Sequence, residues 1–436
     1  MKKYSVYFLT FGCAKNEVDT AAMKELVLDA GYCVVEDPDS ASAIIVNTCS
    51  FIQAATEESL DAIFELAQIP NIASSKAKLI VCGCMVSRYG EDLKHELTEA
   101  NAFVACSDEV HIVDTLQNMI GTPSKHNVGI SEPIKQNRTN QVSAYVKISD
   151  GCDRFCSYCT IPYIRGRYHS FELCDIKQNC EKAISNGAKE IVLIAQDTGR
   201  WGQDFTPARD LSYLLDELSN SYPETWFRIM YLQPEGLTEQ VLQCVKSHKN
   251  ICKYFDIPLQ HVNPSILRKM NRTGSYDEFV SLVKHIKDEI PEITLRTTLI
   301  AGFPGETEEQ FQELYDFVSE GLFDYVGVFA YSREDGTKAA SLDDQIDEDI
   351  KLERAQCIRD LADSVSAPLI SSRIGKNDIV LIEGAEDDGQ LFGRCMSQAP
   401  EVDGVTYVDK GKIGEFVEVL IVDTMLYEME GEVKND

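Results

Sequence analysis

Hydrophobic rhythm divides the 436-residue chain into three stretches. In the first, residues 1–125, apolar runs at 5–11, 42–49, 78–84 and 103–107 alternate with helix-period segments at 20–31, 56–68 and 110–120. In the segment 20–31, Met23, Leu26, Val27 and Ala30 fall on one helical face and Gly31 stops the helix. Strands alternating with helices predict a parallel sheet with helices on both faces. The polar stretch 122–142 contains Pro123 and Pro133, and a linker is expected over 126–142.

The second stretch, 143–366, holds six apolar runs, at 144–150, 190–196, 227–232, 253–259, 294–302 and 325–332. Most are separated by helical patterns, such as 172–187, 211–221 and 307–321. Six βα units predict a (β/α)6 partial barrel, whose chemistry belongs at the carboxyl ends of its strands. A cysteine-rich loop, Gln196–Asp197, Gln260–His261, Gly302 and Tyr331–Ser332 all fall at such ends. The third stretch, 367–436, has short alternating runs broken by Gly and Asp, which predicts a small antiparallel β-barrel of about five strands. The fold class is therefore multidomain α/β with a β-barrel at the end.

Charge narrows the choice of partner. The net charge is −30, a poor match for phosphate and a good one for a basic partner. The segment 370–436 carries 6 Lys and Arg against 15 Asp and Glu. Asp387, Asp388, Glu401, Asp403, Glu415, Glu418, Glu428, Glu430 and Glu432 are read as an acidic surface there. No run of 18 apolar residues predicts a membrane span, and the first residues read as a strand rather than a signal peptide. With 15 cysteines and no export signal, reduced thiols and metal ligation are expected, in the cytoplasm.

Cysteine spacing brings in the chemistry. Cys152, Cys156 and Cys159 form a C-x3-C-x2-C run, enough thiolates for three corners of a 4Fe-4S cube with one iron left open. A zinc site would want a second pair of ligands at matching spacing, and none follows. Cys13, Cys49 and Cys84 are far apart in sequence, yet each follows an apolar run. As parallel strands of one sheet, those runs would bring the three to its carboxyl edge, where open α/β sheets bind ligands. Burial as small core residues is the alternative. Cys82 competes with Cys84, since it lies two residues upstream on the same face of the predicted strand.

The run CDRFCSYC resembles the cluster loop of radical S-adenosylmethionine (SAM) enzymes, with Tyr158 at the aromatic position before the last cysteine. With FGCAKN, NTCSFI and GCMVSRYG, the whole chain resembles the radical SAM methylthiotransferases. That resemblance implies an N-terminal domain with a second 4Fe-4S cluster on Cys13, Cys49 and Cys84, a radical SAM barrel and a C-terminal TRAM domain. It selects Cys84 over Cys82, because the family motif is GC followed by a hydrophobic residue. FGCAKNEVD, DIPLQH, RTTLIAGFPGET and FAYSREDGT look like the branch that methylthiolates an aspartate of ribosomal protein uS12. The tRNA-modifying branch typically shows a YGCQMN-like start and PLQSGS where this chain has PLQHVN. Gly199 and Arg200 depart slightly from the branch pattern.

The resemblance implies two 4Fe-4S clusters and SAM as cofactors, with Tyr158, Gly302 and Gly305 on the cofactor side. Tight strand-to-helix turning is the other reading of the two glycines. Gln260 and His261 are candidates for a substrate cavity, without a proton-transfer role. The implied partners are uS12 or the small ribosomal subunit and a reductant such as flavodoxin or ferredoxin, without a membrane or a tRNA substrate. The competing functions are a tRNA adenosine methylthiotransferase and, of another class, a non-catalytic iron–sulfur or ribosome-assembly protein.

Overall fold

The computed structural model describes residues 4–123 and 142–434, so the expected linker lies outside the described residues except for Val142. The described chain forms two compact units. One combines the N-terminal residues with 151–168 and 334–337; the other holds 142–150, 169–333 and 338–434.

In the first unit the predicted parallel sheet is present. Strands β1 (Ser5–Thr10), β2 (Cys33–Val34), β3 (Ala43–Thr48), β4 (Lys78–Gly83) and β5 (Ala102–Ala105) take the order β2-β1-β3-β4-β5, every pair parallel. Helices α1 (Ala14–Asp29), α2 (Gln53–Ala67), α3 (Pro70–Ala73), α4 (Cys84–Glu96) and α5 (Ile112–Ile120) lie between or after them. The pleat sends alternate residues to opposite faces. Ile44, Val46, Leu79 and Val81 pack with Ile63 of α2 and Met85 of α4. Ile45, Ile80 and Cys82 pack with Met23 and Val27 of α1 and Leu116 of α5. Each fully buried aliphatic side chain contributes about 1.5–3 kcal/mol. Helix α1 begins six positions before the predicted start, directly after Cys13, and Leu26 is exposed rather than buried. The buried stripe runs instead through Asn16, Asp19, Thr20, Met23 and Val27, as a helical period drawn from the new start requires.

In the second unit all six predicted runs are strands. They are β6 (Ser143–Lys147), then after the short antiparallel pair β7 (Ser149–Asp150) and β8 (His169–Ser170), β9 (Glu190–Ile194), β10 (Trp226–Ile229), β11 (Tyr254–Gln260), β12 (Thr294–Ala301) and β13 (Tyr325–Ala330). They form two parallel three-stranded sheets, β10-β9-β6 and β11-β12-β13, joined by a single parallel bridge between Phe227 and Ile251. One core, including Leu193, Phe227, Phe255, Leu295 and Phe317, runs through both. The expected boundary at 366/367 falls inside a continuous helix, Glu348–Ser371.

The end of the chain forms the predicted small barrel. Strands β14 (Asn377–Ala385), β15 (Leu391–Cys395), β16 (Thr406–Val408), β17 (Phe416–Met425) and β18 (Glu428–Val433) close in the order β14-β15-β16-β18-β17, one pair of them parallel. Along β17, buried Val417, Val419 and Ile421 alternate with exposed Glu418, Leu420 and Val422. Asp403 does not belong to the acidic surface. It is fully buried, accepts from the Tyr254 hydroxyl, and lies 3.2 Å from Arg296 Nε. A loop carboxylate that finds a buried arginine and a hydroxyl can leave water without remaining unpaired.

A buried charge cluster links the small barrel to the parallel strands. Glu190 of β9 is held by Arg394 of β15 and, at 2.8 Å, by Arg228 of β10, with all three side chains 3% exposed or less. Arg394 also reaches Glu383 at 2.6 Å. Burial would raise the Glu190 pKa, but Arg394 and Arg228 outweigh it and pull the carboxyl down to about 2. Because the folded pKa is depressed, this group's stabilisation is present above the usual glutamate value of 4.5. It is lost as pH falls from there towards about 2. Arg394→Met leaves buried Glu190 with Arg228 alone and takes the partner from Glu383, and is expected to cost about 3 kcal/mol. A urea-unfolding midpoint at neutral pH checks the loss, which should shrink progressively in acid.

Candidate functional site

Cys13, Cys49 and Cys84 each stand just past the carboxyl end of a strand. Cys13 caps α1, Cys49 follows β3, and Cys84 is the first residue of α4. Since β1, β3 and β4 are adjacent and parallel, three separate stretches of sequence meet at one sheet edge. Two glycines make the approach possible. A Cβ on Gly12 (φ +101°) would lie 2.9 Å from Cys49 Sγ, and one on Gly83 (φ +92°) would lie 2.2 Å from Asn47 Oδ1. Cys82, by contrast, points into the core beside α1 and α5 and is fully buried. The strand ends at Gly83, so Cys82 and Cys84 do not share a face as the sequence suggested.

Cys49 lies close enough to Cys84 and Cys13 to feel both. Burial, with the neighbouring Cys84 and Cys13, pushes the Cys49 thiol up to about 11 against donation from the Phe51 backbone. A hydrogen bond from Cys106 and the Arg165 guanidinium, working against burial, pull Cys84 down to about 6. The same bond to Cys84, with burial, pushes Cys106 up. Among the described residues no three Cys, His, Asp or Glu side chains close on a single metal ion. A four-iron cube makes a different demand, one thiolate at each of several separate corners. Three thiols gathered at one sheet edge, one of them favoured as thiolate by the Cys106 thiol and Arg165, fit that demand.

The second cysteine group lies in the loop 151–168, in the same unit. Gly151 (φ +72°) lets the chain cross itself, since a Cβ there would lie 2.2 Å from the Arg167 carbonyl oxygen. The Cys152 N–H donates to the Gly166 carbonyl at 3.2 Å, and the Cys159 N–H to the Cys156 carbonyl at 3.0 Å. The first bond closes the base of the loop and the second makes a tight turn of residues 156–159. Tyr158 is half-buried within it, and the short helix α6 (Ile161–Ile164) follows.

Sequence reasoning missed the groups that brace the sheet edge. Arg165 Nη1 donates to Asp19 Oδ2 at 2.6 Å, and Nη2 donates to Asn16 Oδ1 at 2.7 Å and to Cys84 Sγ at 3.8 Å. Asn16 Nδ2 in turn donates to the carbonyls of Phe11 at 2.8 Å and Thr48 at 3.1 Å. Arg88 Nη1 donates to the Ser50 carbonyl and to Glu334 Oε2, both at 2.8 Å. Glu334 Oε1 accepts from the Gln53 N–H that starts α2, at 2.9 Å. Asn16, Arg88 and Glu334 were within the quoted runs FGCAKN, GCMVSRYG and FAYSREDGT. Position in a distinctive run was the available signal.

In the second unit, His261 is fully buried, with Nε2 3.3 Å from Glu306 Oε2. Its Nδ1 accepts from the N–H groups of Val262 and Asn263 at 2.9 and 3.0 Å, which places the proton on Nε2. Glu306 accepts from the Gly302 N–H at 3.1 Å and pairs with Arg354 at 2.8 Å. A Cβ on Gly302 would lie 2.4 Å from the Lys351 side chain, and one on Gly305 2.4 Å from Lys269 Nζ. Packing against Lys351 gives Gly302 a reason of its own, the left-handed backbone (φ +74°) gives Gly305 one, and His261 is anchored by the two backbone bonds to its Nδ1.

Comparison with known proteins gives the family. Family models match residues 5–105 (Uncharacterized protein family UPF0004), 146–318 (Radical SAM superfamily) and 374–433 (TRAM domain). Ribosomal protein uS12 methylthiotransferase RimO of Clostridioides difficile is 39% identical, covering 97% of both chains. The protein of the same name from Natranaerobius thermophilus is 39% identical over 99% of both. The chain belongs to the RimO family. Among solved structures, the radical SAM methyltransferase TsrM from Kitasatospora setae, with cobalamin and a [4Fe-4S] cluster bound, has a TM-score of 0.53 at 13% identity. It covers 75% of this chain and 72% of its own, a likeness of fold. RimO membership agrees with the closed terminal barrel and the two parallel three-stranded sheets. Among the described residues, no helix is long and apolar enough to cross a membrane.

Proposed function

We propose that this chain methylthiolates the β-carbon of an aspartate in ribosomal protein uS12, by radical SAM chemistry on two 4Fe-4S clusters. The observation that carries the reading is the near-full-length identity to RimO proteins. Cys152, Cys156 and Cys159 are assigned to the cluster that takes SAM, and Cys13, Cys49 and Cys84 to the second. When bound, the clusters and SAM supply hydrogen abstraction from an unactivated carbon and the sulfur that is methylated and transferred. The protein's own work is placement. Gly12 and Gly83 let the cysteine turns close, Asn16 pins the ends of β1 and β3, and Arg88 with Glu334 fixes the turn after Cys49. Tyr158 is assigned to SAM contact beside Cys159, and Gly302 and Gly305 to the strand-end turn that the resemblance gives to SAM.

The domain reading goes with this function: an N-terminal cluster domain to 125, a radical SAM barrel over 143–366 and a TRAM barrel from 367. The exposed carboxylates of the last segment, among them Asp387, Asp388, Glu418, Glu430 and Glu432, suit a basic ribosomal protein better than tRNA. A low-potential donor such as flavodoxin or ferredoxin would supply the electrons, in the cytoplasm. The test is anaerobic incubation of the reconstituted protein with SAM, reductant and either uS12 or tRNA, read by mass spectrometry. The expected product is uS12 carrying a methylthio group in place of one hydrogen. Methylthiolated tRNA with untouched uS12 would place the chain in the other branch. No product from either would favour a non-catalytic iron–sulfur protein.

A further inference from the structure

We propose that Arg165 tunes the reduction potential of the N-terminal cluster through its contact with the Cys84 sulfur, with Asp19 as the opposing charge. The inference rests on the assignment of Cys13, Cys49 and Cys84 as cluster ligands. Arg165 follows α6 and stands six positions after Cys159, so it belongs to the loop that carries the other three cysteines. Its guanidinium is nevertheless committed to the N-terminal sheet edge. The side chain is 4% exposed, and that of its counter-ion Asp19 is 8% exposed.

The two edges of the guanidinium are divided. Nη1 goes to Asp19 at 2.6 Å; Nη2 goes to Asn16 Oδ1 at 2.7 Å and to Cys84 Sγ at 3.8 Å. Asn16 is itself fixed by two backbone carbonyls, so the donor cannot swing away from the sulfur without breaking that brace. Donors to ligand sulfurs, net charge and solvent exposure set an iron–sulfur cluster's potential. A buried positive donor stabilises the reduced, more negative state and raises the potential. The buried Asp19 carboxylate, paired with the other nitrogen of the guanidinium, acts in the opposite sense. An arginine that merely fastened the loop would affect cluster loading and stability, without a potential that moves in opposite directions for the two partners.

The test uses the full-length chain with Cys152, Cys156 and Cys159 all changed to Ala, so that only the N-terminal cluster is redox-active. Its midpoint potential is read by titration monitored by electron paramagnetic resonance. Arg165→Gln is expected to shift the potential down, and Asp19→Asn to shift it up. Unchanged potentials, or shifts in the same direction, overturn the inference. Should Arg165→Gln fail to load iron, the Asp19→Asn arm decides alone: an upward shift supports the tuning role, and no shift or a downward one removes it. A parent protein that binds no iron would instead fail the ligand assignment itself, an outcome visible before any Arg165 variant is made.

Discussion

Changing Cys152, Cys156 and Cys159 together to Ala is expected to cut the iron of the reconstituted protein from about eight to about four per chain, as loss of one four-iron cluster requires. Reductive cleavage of SAM should vanish with it. The cysteines lie in one loop held by the Cys152-to-Gly166 and Cys159-to-Cys156 backbone bonds, neither of which uses a thiol. The remaining iron should therefore stay on Cys13, Cys49 and Cys84 rather than being lost through unfolding. Iron analysis, with 5′-deoxyadenosine formation as the second readout, decides the matter. A variant that still cleaves SAM would show that these thiols do not hold the radical-generating cluster.

The second large effect separates two cysteines that stand two positions apart. Cys84→Ala should abolish the methylthio product while leaving SAM cleavage intact, because it removes one ligand of the N-terminal cluster and spares the other group. Cys82→Ala should leave both activities in place and cost about 1 kcal/mol of stability, as for a small buried side chain. The physical difference is environment. Burial, then the nearby Glu109 and Asp19 carboxylates, push the Cys82 thiol well up, so it stays neutral in the core. Cys84 has the Cys106 thiol and then Arg165 as donors, which outweigh its burial and favour the thiolate, the form that binds iron. Iron content and product formation are measured on both variants; equal iron loss would refute the distinction.

Strands β3, β4 and β9 were legible because each is an apolar run bounded by polar or turn residues and buried on both faces. The six runs from 144 to 332 could hardly be read otherwise. Convergence of Cys13, Cys49 and Cys84 followed from the parallel order alone. The start of α1 was misread because Ala14 to Asp19 are mostly polar, and polar side chains there are buried for the site rather than for the core. Asp403 was misplaced for a similar reason: an aspartate in a loop, just before Gly404, looks solvated until its arginine, more than a hundred residues away, is known. Arg165, Arg88 and Glu334 could not be paired from sequence, since nothing local distinguishes a bracing arginine from a surface one.

The N-terminal unit is assembled from three pieces of chain, the last of them Glu334–Thr337. Arg88 and Glu334 are 246 positions apart, and both side chains are 5% exposed. During synthesis, then, the first sheet emerges long before the carboxylate that neutralises Arg88 exists, and before Arg165 can meet Asp19. Loop-closure entropy makes such distant pairings late events. The bracing of the cysteine edge is thus completed only when most of the chain has been made. A fragment cut after residue 125 would keep its strands and all three thiols, yet Arg88 and Asp19 would lack the partners that brace the edge.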